Sequence, residues 1–199
     1  MNKIINEKQQ QYTVTVFTED KVGLLNRITI VFTRRHLNID SLTTSESEVK
    51  GIFRYTIVTQ CTQSLIKKVV DQIEKLTEVL RAFYYEEEDV IAQEIALYKV
   101  STENLTKRDK SMEEIIRESN ARILDIEDGF IVIEKTGFKK ETQKLFDQLK
   151  PYGILQFARS GRVAVTKPMK ELSYYLQELN EAAETSNRIR DWKLKNTLV

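Results

Sequence analysis

The 199-residue chain carries 31 Lys and Arg against 30 Asp and Glu, with 41% hydrophobic and 31% charged residues. That length holds one large domain or two small ones, and the composition is ordinary for a soluble globular protein. A net charge of +1 provides no positive field to gather phosphates, the single Cys61 admits no intrachain disulfide, and no apolar run is long enough to span a bilayer, so a cytoplasmic protein with no nucleic-acid or membrane partner is expected.

Residues 1–11 are polar and Gln-rich, unlike a signal peptide, and read as a disordered tail. Tyr12 to Phe17 alternates with β-branched residues, so a strand is expected. Asp20 is placed to cap a helix that puts Leu24, Leu25, Ile28, Val31 and Phe32 on one face. A second strand runs from about Asn38 to Ser47, Lys50-Gly51 supplies a turn, and a third strand passes through Ile52, Phe53, Tyr55, Ile57 and Val58. A helix carrying Leu65, Ile66, Val69, Val70, Ile73 and Leu76 follows, then a strand from Val79 to Tyr85. Glu86 to Asp89 is an acidic, solvated break, and residues 87–92 are assigned to a linker.

The same order then recurs. Glu94 to Val100 is a strand, Met112 to Ser119 a helix, and Ile123 to Ile126 a strand. Asp128-Gly129 suits a type I′ hairpin turn, because both residues tolerate positive φ. Phe130 to Ile133 returns as a strand, and Gln143 to Leu149 forms a helix with Leu145, Phe146 and Leu149 inward. Ile154 to Phe157 and Val163 to Val165 are the last strands. This is an α+β chain of two tandem ferredoxin-like βαββαβ domains, residues 12–86 and 93–167. Residues 168–199 read as a helical tail with Leu172, Tyr175, Leu176, Leu179, Ala182 and Ala183 in a stripe, able to pack on its own domain, on a dimer mate or on another protein.

No catalytic motif is recognisable in the sequence, which does not exclude an enzyme but moves the weight toward binding. One His, His36, one Cys and no carboxylates at ligand spacing make no metal site. There is no phosphate loop, dinucleotide fingerprint or nucleophile elbow. One constellation remains, Asp20 to Leu25 with Asn38 and Ile39. A free amino acid needs donors for its carboxylate, acceptors for its ammonium and a pocket for its side chain. Unpaired N–H groups at a helix start suit the carboxylate, and Gly23 lets a ligand approach the backbone. Asp20 can accept from the ammonium, Asn38 offers donor and acceptor, and Leu24, Leu25 and Ile39 can line an aliphatic pocket. The simpler alternative has Asp20 as a cap, Gly23 easing a turn and Asn38 in a left-handed position.

Phe17-Thr18-Glu19-Asp20-Lys21-Val22-Gly23-Leu24-Leu25-Asn26-Arg27-Ile28, followed by Phe32 to Leu42 with Asn38-Ile39-Asp40-Ser41-Leu42, resembles the ACT domain of acetolactate (acetohydroxyacid) synthase small subunits. Arg54 to Ile57, Glu94 to Leu97, Ala121 to Asp125 and Ala158-Arg159-Ser160-Gly161 agree in order. The resemblance covers roughly residues 12–167 and implies a regulatory subunit with no catalytic residues and no cofactor of its own. Such subunits activate a large catalytic subunit, which holds thiamine diphosphate, magnesium and FAD. They confer feedback inhibition by valine or related end products of branched-chain amino acid biosynthesis. The implied effector site lies between two ACT domains of a homodimer, at Asp20, Gly23, Leu24, Leu25, Asn38 and Ile39. Two positions depart from the pattern: family members often have Asn at Asp20 and Gly at His36. An acid at position 20 strengthens the ammonium contact and opposes a carboxylate. His36 is read as a helix end on the surface, tolerating positive φ better than most residues though less well than glycine, in preference to a pH-sensitive contact. A free-standing ACT sensor acting on another enzyme or on transcription is the rival assignment.

Overall fold

The computed structural model describes residues 8–103, 111–167 and 177. The expected helical stripe of the tail therefore lies outside the described residues apart from helical Gln177, as does most of the expected N-terminal tail.

The first unit is β1 (Gln10–Glu19), α1 (Leu24–Thr33), β2 (Ile39–Glu46), β3 (Ile52–Cys61), α2 (Gln63–Ile73) and β4 (Val79–Glu86). Its antiparallel sheet has the order β2-β3-β1-β4, with β2 at an edge. One face carries Val14, Val16, Ile57 and Ala82 against Leu24, Ile28 and Phe32 of α1 and Ile66, Val69 and Ile73 of α2. Strand β1 starts at Gln10 rather than Tyr12, because Gln10 and Gln11 register with Cys61 and Gln60.

The second unit repeats the first: β5 (Val90–Ser101), α3 (Met112–Glu118), β6 (Arg122–Glu127), β7 (Phe130–Gly137), α4 (Lys139–Gly153) and β8 (Ile154–Arg159), in the order β6-β7-β5-β8. Ala96, Tyr98, Val100 and Ile133 face Ile115, Ile116, Leu145 and Leu149. Tyr98 also donates its hydroxyl to the Thr142 carbonyl at 2.6 Å. Helix α4 begins at Lys139 rather than Gln143, because Glu141 accepts from the Phe138 N–H at 2.8 Å and caps the earlier start.

The repeat extends to the helix ends. After α1, Leu37 N–H donates to the Phe32 carbonyl and His36 N–H to that of Thr33. After α3, Ala121 N–H donates to Ile116 and Asn120 N–H to Arg117. Both are Schellman closures, and their C′ residues have φ +54° at His36 and +50° at Asn120.

The join between the units departs from the expected six-residue linker. A single 3-10 turn, Glu87–Asp89, leads straight into β5. Val90 to Gln93 are strand, because they pair with β9 (Val163–Thr166) as a two-stranded ribbon. Strand alternation marks Thr13 and Thr15 for solvent, yet Tyr12 to Thr18 are all buried. The second face of the first sheet meets the ribbon: Arg54 of β3 donates to the Ala164 carbonyl at 2.6 Å, and Val90, Ala92 and Ala164 are buried. The edge of this contact is the β8–β9 loop. Arg162 N–H donates to Ser41 Oγ at 3.0 Å and Thr43 Oγ1 donates to the Arg162 carbonyl at 2.9 Å. The Arg162 guanidinium grips both Glu87 oxygens at 2.6 and 3.1 Å.

Candidate functional site

The loop between β1 and α1 ends on Gly23, not on the expected cap Asp20. Gly23 is the N-cap residue at φ +83°, ψ −5°, and no side chain caps the helix. The turn closes through Leu24 N–H to the Lys21 carbonyl at 3.2 Å, and the helix opens with Arg27 N–H to the Gly23 carbonyl at 3.2 Å. This left-handed entry is why glycine stands here. A Cβ built on Gly23 would have nothing within 4 Å, so the space above it is open.

The loop is braced from β4's approach. Arg27 pairs with Glu78 at 2.5 Å, and Glu19 N–H donates to the Glu78 carbonyl at 3.0 Å. The bond from Arg27 holds the Glu78 carboxyl below its usual range.

The six expected residues divide. Asp20, Gly23 and Asn38 are exposed. Leu24 is 1% exposed and belongs to the core, so it lines no pocket in the single chain, while Leu25, expected on the buried face, is 41% exposed. Leu25 follows Leu24 by one residue, about 100° around the helix, which turns it outward with neighbouring Val22. Ile39 is half-buried against the core. Asn38 is fastened by its carbonyl, which accepts from Thr59 Oγ1 at 2.6 Å. The left-handed residue of this segment is His36, not Asn38.

One chain does not bring the two parts together. Glu19 registers with Ile52 on β3, whereas Ile39 registers with Thr59. Seven residues of strand separate those levels, about 23 Å. The glycine loop is at one end of the sheet and the Asn38 mouth at the other. The Gly161–Arg162 contact on Ser41 and Thr43, close to that mouth, was not foreseen from the sequence; the Ser160-Gly161 pair was visible, but what it touches was not. Among the described residues, no three of the His, Cys, Asp and Glu side chains stand together as a metal cluster.

Two βαββαβ units in tandem, the first opening its helix on an exposed glycine, define a protein of the ACT type with a second ferredoxin-like domain. A family described as the AHAS small subunit-like ACT domain matches residues 14–81, and one described as the small subunit of acetolactate synthase matches residues 93–168. The acetolactate synthase small subunit of Mycolicibacterium smegmatis is 33% identical over 156 residues, covering 78% of this chain and 91% of that protein. That of Bacillus subtilis is 32% identical, covering 77% and 89%. The crystal structure of the acetolactate synthase small subunit from Thermotoga maritima superposes with a TM-score of 0.72 at 25% identity, covering 81% of this chain and 99% of that one. The chain belongs to the acetolactate synthase small-subunit family.

Proposed function

We propose that this chain is the regulatory subunit of an acetolactate synthase in branched-chain amino acid biosynthesis. It binds and activates the large catalytic subunit, which supplies thiamine diphosphate, magnesium and FAD chemistry, and confers feedback inhibition by valine. The observation that carries the effector reading is the uncapped, open start of α1 at Gly23. Its backbone N–H groups and the positive end of the helix suit a carboxylate, and Asp20 stands beside them for an ammonium.

The separation of Gly23 from Asn38 supports a homodimer site. Strand β2 is an edge with unpaired backbone groups. Two copies related by a two-fold axis and paired antiparallel along β2 set the Asn38 end of one against the Gly23 end of the other. Val22, fully exposed, and Leu25 then gain apolar partners or face the aliphatic side chain of the effector. Each site is made of Asp20, Gly23 and Leu25 from one protomer and Asn38 and Ile39 from its partner.

The test is reconstitution with the cognate catalytic subunit. The chain is expected to co-purify with it and raise its acetolactate formation, and Gly23→Asp should raise the half-inhibitory valine concentration by at least about tenfold while activation persists. Aspartate tolerates left-handed φ better than most residues, so the loop survives while its charge opposes the effector carboxylate. Unchanged valine sensitivity in that variant overturns the site. Calorimetry with valine, leucine and isoleucine ranks the effectors.

A further inference from the structure

We propose that the Gly161–Arg162 contact on β2 is the joint through which an occupied effector site acts on the second domain; this rests on the effector reading above. Beyond the mouth at Asn38–Ile39, β2 loses register with β3 once, between Ile39 and Ser41. Such a bulge at Asp40 gives the strand start local freedom. Directly after it, Ser41 and Thr43 are held by the two backbone groups of Arg162, at 3.0 and 2.9 Å. The side chain of Arg162 reaches back to Glu87 at the join of the units and lies 3.5 Å from Thr13 Oγ1 on β1. The first strand to feel a ligand at Asn38 is thus bonded to the other domain within five residues of it.

The contact is close enough to transmit small shifts. A Cβ on Gly161 would lie 2.4 Å from Thr43 Cγ2 and 3.0 Å from both the Leu42 carbonyl oxygen and Ser41 Oγ. Gly161 is absent from the positive-φ residues, so glycine serves here for closeness to β2, not for backbone conformation. On its other side the loop is tied to the second sheet. Ser160 N–H donates to the Ile95 carbonyl at 2.8 Å, and Ile95 N–H donates to Ser160 Oγ at 2.9 Å. Arg159 pairs with Glu94 at 2.8 Å, and Glu94 accepts from Thr142 of α4 at 2.5 Å. Displacement of Ser41–Thr43 therefore moves a loop bonded to both β5 and α4. A chain of direct bonds with a bulge at its head supplies the contiguous element that such transmission requires.

The test separates binding from response. Gly161→Ala pushes the loop off β2, and Thr43→Val removes the hydroxyl that bonds Arg162 while keeping shape and strand preference. In the full chain, calorimetry should give both variants a valine affinity within about twofold of wild type. In the reconstituted holoenzyme, saturating valine should inhibit each variant several-fold less than wild type, with activation retained, because the joint carries the coupling and not the binding. Thr43→Ser, which restores the donor, should recover wild-type inhibition. Inhibition of Gly161→Ala and Thr43→Val by saturating valine to the wild-type extent overturns the joint and leaves the effector site standing. Parallel loss of affinity and inhibition also overturns it, because the contact then only shapes the pocket. Absence of valine binding by the wild-type chain overturns the effector reading and the joint with it.

Discussion

At Gly23 the backbone conformation and the empty space above it act together: φ +83° favours glycine, and no neighbour would obstruct a side chain. Gly23→Ala should therefore cost about 1 kcal/mol through backbone strain alone, seen as a lowered melting temperature without repacking. Cys61 shows the opposite environment. It is 1% exposed, and burial pushes its thiol up to about 11 despite a bond from the Ile66 amide. At pH 8 only about one thiol in a thousand is ionised, so Cys61 should resist thiol reagents until the chain is unfolded. Rapid labelling of the native protein would contradict its burial. Glu134 gives an acid-sensitive point. The Thr136 hydroxyl, with Arg122, holds its carboxyl below the ordinary 4.5 against the effect of burial. A folded value below the unfolded one adds stability that is present above pH 4.5 and lost as pH falls through the lowered value. Melting temperatures between neutral and acid pH should fall on that limb, and Glu134→Gln should flatten it. Of these residues, the sequence marked Gly23 clearly, since a glycine before an amphipathic run signals a backbone need. It pointed to Asp20 as the cap because capping preference follows residue type, whereas the turn from Lys21 to Leu24 had already placed Gly23 at the helix start.

Among the elements, the two Schellman closures show how a repeat can persist in backbone form without residue identity. His36 and Asn120 share a left-handed position, and Leu37 and Ala121 share the bond that follows it. A histidine there is strained relative to glycine, so His36→Gly should stabilise the chain by up to about 1 kcal/mol, measured by denaturant unfolding. No stabilisation would show that His36 makes a compensating contact. Helix α3 starts on a capping box, Ser111 accepting from Glu114 N–H at 3.2 Å and Glu114 accepting in return at 3.3 Å. Ser111→Ala should cost about 1 kcal/mol. Strands and helices were legible because their periods of two and 3.6 are local. The early start of β5 was not: Val90 to Gln93 become strand through β9, whose sequence lies about seventy residues away, and acidity just before them suggested a linker.

For the whole molecule, the first sheet is covered on both faces, by helices on one and by the β5–β9 ribbon on the other. Thr13, Thr15 and Phe17 are each 1% exposed for that reason. Alternation along β1 reveals which residues share a face, but not whether a second domain covers the polar one. Phe17→Ala should accordingly behave as a core deletion and cost about 3–5 kcal/mol, not as a surface change.

The placement of Gly23 and Asn38 at opposite ends of one sheet has a genetic reading. If each effector site draws its two halves from different protomers, Gly23→Asp and Asn38→Ala chains each form dimers with two broken sites. Mixed together, they form hybrids in which both lesions fall on one site and the other site is whole. Random exchange would restore about a quarter of all sites, so two valine-insensitive preparations would become partly sensitive on mixing. Sites built within single chains would show no such rescue.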